Sequence, residues 1–157
     1  TYTYNVELPS GTTDVPTVGA TPADINASAD ITQAKKLTGS DKYRTAKVEV
    51  TAEDGTELTY EVIFSVAINN DATLSNLTVD GETIAGFSPF TYTYNVEQPS
   101  GTTDVPTVGA TTTDPNASKK ITQAKKLTGS EKDRTAKVEV TAEDGTKLTY
   151  EVIFLKI

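Results

Sequence analysis

Residues Thr1 to Ala67 align without a gap on Thr91 to Ile157, an offset of 90 positions, with twelve substitutions. Near-identity over such a length means one structural unit used twice. The offset is longer than a solenoid period, so each copy should own a core instead of sharing one with its neighbour. The boundaries this sets are residues 1–68 for the first unit and 69–157 for the second. The copies are not equal: Asn69 to Phe90 leads into the repeated stretch in the second unit, while the first is represented from Thr1 onward.

Within the repeat, RTAKVEVTAEDGTKLTYEVIF at Arg134 to Phe154 returns at Arg44 to Phe64 with one change, Glu57 for Lys147. Ala136, Val138, Val140 and Ala142 alternate with polar residues, and so do Leu148, Tyr150, Val152 and Phe154, the period of a strand with one wet face. Residues opposed across an antiparallel pair point the same way, so Val140 must face Leu148 and Val138 must face Tyr150. A two-residue Asp144-Gly145 turn would oppose Val140 to Thr149 and turn one arm inside out. A three-residue loop, Glu143-Asp144-Gly145, with a left-handed glycine, restores the match.

The remaining segments also read as strands. In the second unit, Asp71 to Asp80 supplies a strand with Leu77 and Val79 on one face, closed by an Asp80-Gly81 turn. Ile84, Phe87 and Phe90 are core candidates, and Thr91 to Glu97 alternates Tyr92, Tyr94 and Val96 inward. Val105 to Thr111 and Ile121 to Thr128 follow as further strands, separated by a turn at Asp114-Pro115-Asn116. Val and Thr are abundant, Gly and Pro fall between these runs, and no helical periodicity is sustained. The fold class is all-β, with six or seven strands per complete unit arranged as a two-sheet antiparallel sandwich.

By the same reading Tyr2, Tyr4 and Tyr60 of the first unit point inward. That unit nevertheless lacks counterparts of Leu74, Leu77, Val79, Ile84, Phe87 and Phe90. Six large apolar side chains are a substantial part of a small core, so the first unit is expected to complete itself with borrowed residues. The donor would be residues 71–90 of its own chain or a strand from a neighbouring molecule, giving a strand-exchanged homo-oligomer; the alternative is an expression or proteolysis boundary that cuts the repeat and leaves a frayed sandwich.

The runs ATLSNLTVDG (72–81), IAGFSPFTYTYNV (84–96), RTAKVEVTAEDG (134–145) and TYEVIF (149–154) resemble the bacterial cadherin-like β-sandwich domain family. The resemblance covers the second unit end to end and the later strands of the first. It implies tandem Ig-like repeats, the first lacking its opening strands, in a secreted or cell-surface bacterial protein beside polysaccharide-active enzymes. It brings no catalytic residues, since its recurrent positions are core and turn positions. The join Ile68-Asn69-Asn70-Asp71 departs from the acidic calcium linkers of true cadherins.

Chemistry-bearing residues are few. The chain has no His and no Cys, which removes Ser-His and Cys-His nucleophile systems and the usual zinc ligands. The adjacent acids Glu53-Asp54 and Glu143-Asp144 lie at hairpin tips, where they read as turn formers and not as a glycosidase pair. A structural calcium ion would have to use Asp24, Asn26 and Asp30, or Asn69 and Asp71 with Asp80. Neither set has a recognised loop spacing, and Lys120 stands where the first copy has Asp30, so no cofactor is expected. Tyr43, whose counterpart is Asp133, falls beside a turn and is the residue best placed to offer an aromatic face to a glycan.

Net charge is -8, with the first 67 residues at -5 and the last 67 at zero. Such a balance, without aromatic-basic interleaving, argues against nucleic acid. No apolar run approaches membrane-spanning length, and the chain begins at Thr1 without Met or a signal-like start, as a piece internal to a longer protein would. The expected role is a non-catalytic extracellular spacer or interaction module whose partners are the other domains of its parent. The alternative is a carbohydrate-binding accessory module, with polysaccharide as partner.

Overall fold

The computed structural model describes residues 1–157. It divides into two compact units, Thr1–Ile68 and Asn69–Ile157.

The second unit is a complete sandwich. Its strands are β5 (Leu74–Val79), β6 (Glu82–Thr83), β7 (Thr93–Gln98), β8 (Val108–Thr112), β9 (Ser118–Thr122), β10 (Thr135–Thr141) and β11 (Lys147–Lys156). One sheet runs β7-β11-β10-β9 and the other β6-β5-β8. The β10–β11 hairpin has the register that parity demands, with Val140 opposite Leu148 and Val138 opposite Tyr150. Its loop closes through the Ala142 N–H donating to Thr146 O at 2.8 Å, with Gly145 at φ 90°. The same Asp-Gly dipeptide closes β5–β6 differently. There Val79 pairs with Glu82, and Asp80 and Gly81 alone turn the chain at φ 49° and 85°, the two positive values of a type I′ turn.

Three details depart from simple alternation. A register shift between Leu74 and Asn76 lets Leu74 and Leu77, three residues apart, both point inward and become fully buried. Val79 is only partly buried at the edge of that cluster. Second, the strand before the hairpin lies at Ser118–Thr122, earlier than Ile121 to Thr128. The residues that follow are irregular, tucking Ala124 and Leu127 into the core ahead of a 3-10 turn at Glu131–Arg134. Third, β7 runs parallel to β11, whereas every other pairing in the unit is antiparallel. Ile84 and Phe87 pack against the core as expected, but Phe90 is 75% exposed, because the chain turns there to enter β7.

The first unit repeats the larger sheet: β1 (Tyr2–Leu8), β2 (Ser28–Thr32), β3 (Thr45–Thr51) and β4 (Glu57–Val66), in the order β1-β4-β3-β2. Its hairpin register matches, with Val50 opposite Leu58 and Val48 opposite Tyr60. A one-turn helix, Asp41–Arg44, replaces the 3-10 turn. In both units an arginine before the hairpin ties it down: Arg44 Nη1 donates to Phe64 O and Arg134 Nη1 to Phe154 O, each at 2.7 Å.

No second sheet covers the first unit. Residues 71–90 stay with the second unit, where Leu74 and Leu77 lie in its core, so they are not lent to the first. The consequence is local as well as global. Val18-Gly19-Ala20-Thr21 is identical to Val108-Gly109-Ala110-Thr111, yet only the latter is a strand, since its one sheet neighbour is β5. Unpaired backbone in water has no reason to adopt the ladder geometry. The buried hydrophobic residues of the first unit shrink to Ala34, Leu37, Ala46, Val48 and Phe64.

Candidate functional site

The most unusual surface of the chain is the uncovered sheet face of the first unit. In the second unit Tyr94 is 7% exposed and Tyr150 is sealed from solvent; in the first, Tyr4 is 53% exposed and Tyr60 half-buried. Tyr2 and Leu58 are likewise exposed; Tyr92, the counterpart of Tyr2 and also read as inward, is itself 39% exposed at the start of β7, so inward alternation amounts to core packing for Tyr94 and Tyr150 but not for Tyr92. The direction read from the sequence holds, and the cover is what is missing. A groove of about 590 Å³ runs along this face, floored by Val48, Val50, Tyr60 and Val62 and walled by residues 18–24. Its lining is predominantly apolar and contains no cluster of ionisable groups.

The second unit shows what fills that space. The Tyr150 hydroxyl accepts the Leu74 N–H at 3.1 Å and donates to Pro89 O at 2.5 Å. Tyr94 donates to Ser88 O at 2.8 Å and accepts the Ser88 N–H at 3.1 Å. Burial pushes the Tyr150 phenol above its ordinary pKa, with the Leu74 N–H acting in the opposite sense. Gln123 clamps Val108 through both its N–H and its carbonyl, and Gln33 clamps Val18 identically, with distances between 2.7 and 2.9 Å. These glutamines, unremarked in the sequence pattern, hold one wall of the groove in place whether or not a strand lies against it.

Tyr43 sits in the one-turn helix, 40% exposed. Lys36 Nζ stands 4.5 Å from its ring centroid, so one aromatic face already carries a cation. In the second unit the matching Lys126 instead meets Asp133 at 3.6 Å. Asp133 titrates below the usual carboxylate range because Ser130 donates to it, with Lys126 adding to the effect.

The oxygen ligands considered for calcium are occupied in turns. Asp24 Oδ1 accepts the Asn26 N–H at 3.0 Å, and Asn69 Oδ1 accepts the Asp71 N–H at 3.0 Å. Asp71 Oδ1 accepts from the Thr73 N–H and hydroxyl, while Asp80 Oδ1 accepts the Thr107 N–H. Asp30 lies on β2 beside Glu49 and Glu57, where the second unit carries Lys120, Glu139 and Lys147. Asp30, Glu49 and Glu57 line one shallow groove but are not grouped so that they could hold a metal ion. The hairpin-tip acids behave as turn formers: Asp54 and Asp144 each accept the N–H two residues on, at 2.9 and 2.8 Å. Hydrogen bonding from Thr56 and Thr146 lowers both carboxyl pKa values.

No protein-family model matches the chain. A gellan lyase from a Bacillus species is 43% identical over 90 residues, 56% of this chain and 3% of that protein. An exo-beta-1,6-galactobiohydrolase from Bifidobacterium longum is 33% identical over 109 residues, 69% of this chain and 7% of that protein. The chain therefore corresponds to a small part of each of these enzymes. Among solved structures, extracellular cadherin domains of protocadherin gamma B7 align over 100% of this chain and 49% of theirs, at 12% identity and TM-score 0.29. The human desmocollin-1 ectodomain aligns over 100% of this chain and 41% of its own, at 17% identity and TM-score 0.29.

Proposed function

We propose that the chain is a pair of Ig-like repeats of the bacterial cadherin-like kind, residues 1–68 and 69–157, serving as a non-catalytic spacer or interaction module of a secreted or cell-surface polysaccharide-active protein. The observation that carries this reading is the match to a short stretch of two saccharide-acting enzymes, at 3% and 7% of their lengths. Consistent with this, the paired acids of the chain are engaged in turns, and its largest side chains pack or line an apolar groove. No helix is long and apolar enough to cross a membrane.

Affinity electrophoresis through gellan, xylan, cellulose, chitin and pectin tests the proposal. The spacer reading expects unchanged mobility in every gel. Retardation in one of them, abolished by Tyr43→Ala, would replace it with the carbohydrate-binding reading.

A further inference from the structure

Three Asp-Gly dipeptides turn this chain, at 54–55, 80–81 and 144–145. We propose that Asp80-Gly81 is a site of spontaneous main-chain rearrangement to isoaspartate, which unlatches β6, and that the other two are protected by their turns. The reaction needs a free glycine nitrogen beside an accessible carboxyl. At the hairpin tips the nitrogen is engaged: the Gly55 N–H donates to Ala52 O at 2.9 Å and the Gly145 N–H to Ala142 O at 3.0 Å. The type I′ turn differs. There Val79 and Glu82 are the closing pair, and the Gly81 N–H between them has no acceptor. Asp80 and Gly81 are both exposed, and a Cβ on Gly81 would meet nothing within 4 Å, so a ring and an incoming water have room.

Two further differences act in the same direction. Asp80 is the one residue other than glycine at positive φ, 49°, a conformation that L side chains resist. Routing the main chain through Cβ removes that constraint. At the tips, hydrogen bonding from Thr56 and Thr146 holds the Asp54 and Asp144 carboxyls below the ordinary range. Less of the neutral acid is present there, and only its hydroxyl leaves readily. At Asp80 the Thr107 N–H donates to Oδ1 at 2.8 Å, which leaves Oδ2 to carry the proton and keeps a donor in place for the oxyanion that attack creates.

In the first step the Gly81 nitrogen bonds to Asp80 Cγ and gives up its proton. The Asp80 hydroxyl takes that proton and departs as water, leaving a five-membered succinimide. Water then adds to one of the two ring carbonyls. Breaking the bond from nitrogen to the Asp80 main-chain carbonyl leaves Gly81 attached through Cγ, as isoaspartate; breaking the other bond restores aspartate. Nothing is oxidised, and the final mass equals the starting mass. The product has one more main-chain atom in a two-residue turn and a carboxylate on Cα, so the two bonds exchanged with Thr107, each 2.8 Å, are lost. β6 is only two residues long and depends on that turn for its pairs Thr78–Thr83 and Val79–Glu82. Ile84, which packs against the core and whose N–H donates to Leu77 O at 3.0 Å, is released with it.

For the test, the whole chain is held in warm, mildly acidic buffer, digested at intervals and read by mass spectrometry with electron-transfer fragmentation, which tells isoaspartate from aspartate. Isoaspartate should accumulate at residue 80 and form about tenfold more slowly at 54 and 144, the factor for first breaking a backbone hydrogen bond. Asp80→Asn and Asp144→Asn reach the same succinimide by losing ammonia, which takes carboxyl ionisation out of the comparison. The first should still react about tenfold faster than the second. In denaturant the three sites should converge. Amide resonances of Glu82, Thr83 and Ile84 should shift as residue 80 converts, with those of β9, β10 and β11 unmoved. Equal native rates at the three sites, faster reaction at a hairpin tip, or a difference that persists in denaturant overturns the proposal. Conversion that leaves the β6 resonances in place overturns the unlatching.

Discussion

Tyr150→Phe and Tyr60→Phe make the same chemical change at the same place in the repeat and should have different consequences. The Tyr150 hydroxyl is sealed and makes two hydrogen bonds, from the Leu74 N–H at 3.1 Å and to Pro89 O at 2.5 Å. Its removal strands a buried backbone donor, which costs about 1–3 kcal/mol, and loses the bond to Pro89 besides. About 2 kcal/mol lowers the melting temperature of a domain this size by roughly 8–16 °C. Tyr60 has no hydrogen-bond partner in its groove, so its Phe variant should stay within about 0.5 kcal/mol of the parent. Thermal unfolding, followed by resolved amide resonances of each unit, gives the two values separately. The alkaline limb adds a second readout. Burial raises the Tyr150 pKa above 10.0 in the folded state, so its contribution is complete below the unfolded value and lost as pH rises through the folded one. Tyr150→Phe should flatten that alkaline loss in the second unit. Equal destabilisation of both units, or none in either, would refute the assignment of the hydroxyl to the buried network.

Leu77→Ala empties a fully buried position and should destabilise the second unit by about 2–5 kcal/mol while leaving the first unit's transition unmoved, as urea denaturation would report. Gly145→Ala and Gly55→Ala introduce a side chain at φ 90° and 84° with no neighbour within 4 Å, so each should cost only the left-handed strain of about 1–2 kcal/mol, read by the same denaturation. NMR titration should find Asp54 and Asp144 protonating below the ordinary aspartate range. Because their folded pKa values are depressed, the stability they lend is present above the unfolded pKa and disappears as pH falls. Thr146→Pro removes the donor N–H and should return Asp144 toward its usual value.

The hairpins were legible because two local rules agree there: alternation fixes which residues face inward, and parity fixes the loop length that keeps them so. Neither rule reaches beyond the hairpin. Val18-Gly19-Ala20-Thr21 and its twin at 108–111 carry one sequence and two conformations, since a strand at a sheet edge is made by its neighbour. Tyr4 and Tyr94 point the same way, and only what lies over them makes one a core residue. The register shift at Leu74 escaped alternation because a bulge replaces period two by a spacing of three. The parallel pairing of β7 with β11 had no signal in either strand, because side-chain alternation is blind to strand direction. The tyrosine hydroxyls were equally invisible, as their partners are backbone groups of residues 74, 88 and 89.

The twelve differences between the copies fall on both sides of the sheet. Tyr4, Val18, Gly19, Val48, Val50, Tyr60 and Val62 are unchanged, but Pro22 and Ala23 in the groove wall correspond to Thr112 and Thr113. On the solvent side, Asp30 and Glu57 give way to Lys120 and Lys147 beside an unchanged glutamate, while on the inward face Ala29, opposite Val50, corresponds to Lys119, which donates to Ala110 O. Exposed charges of this kind contribute little to stability, so the sheet tolerates the inversion. The inward face has no such freedom where β5 lies on it. In the first unit Gly19 is exposed and Val50 half-buried, yet Val48 is still only 4% exposed.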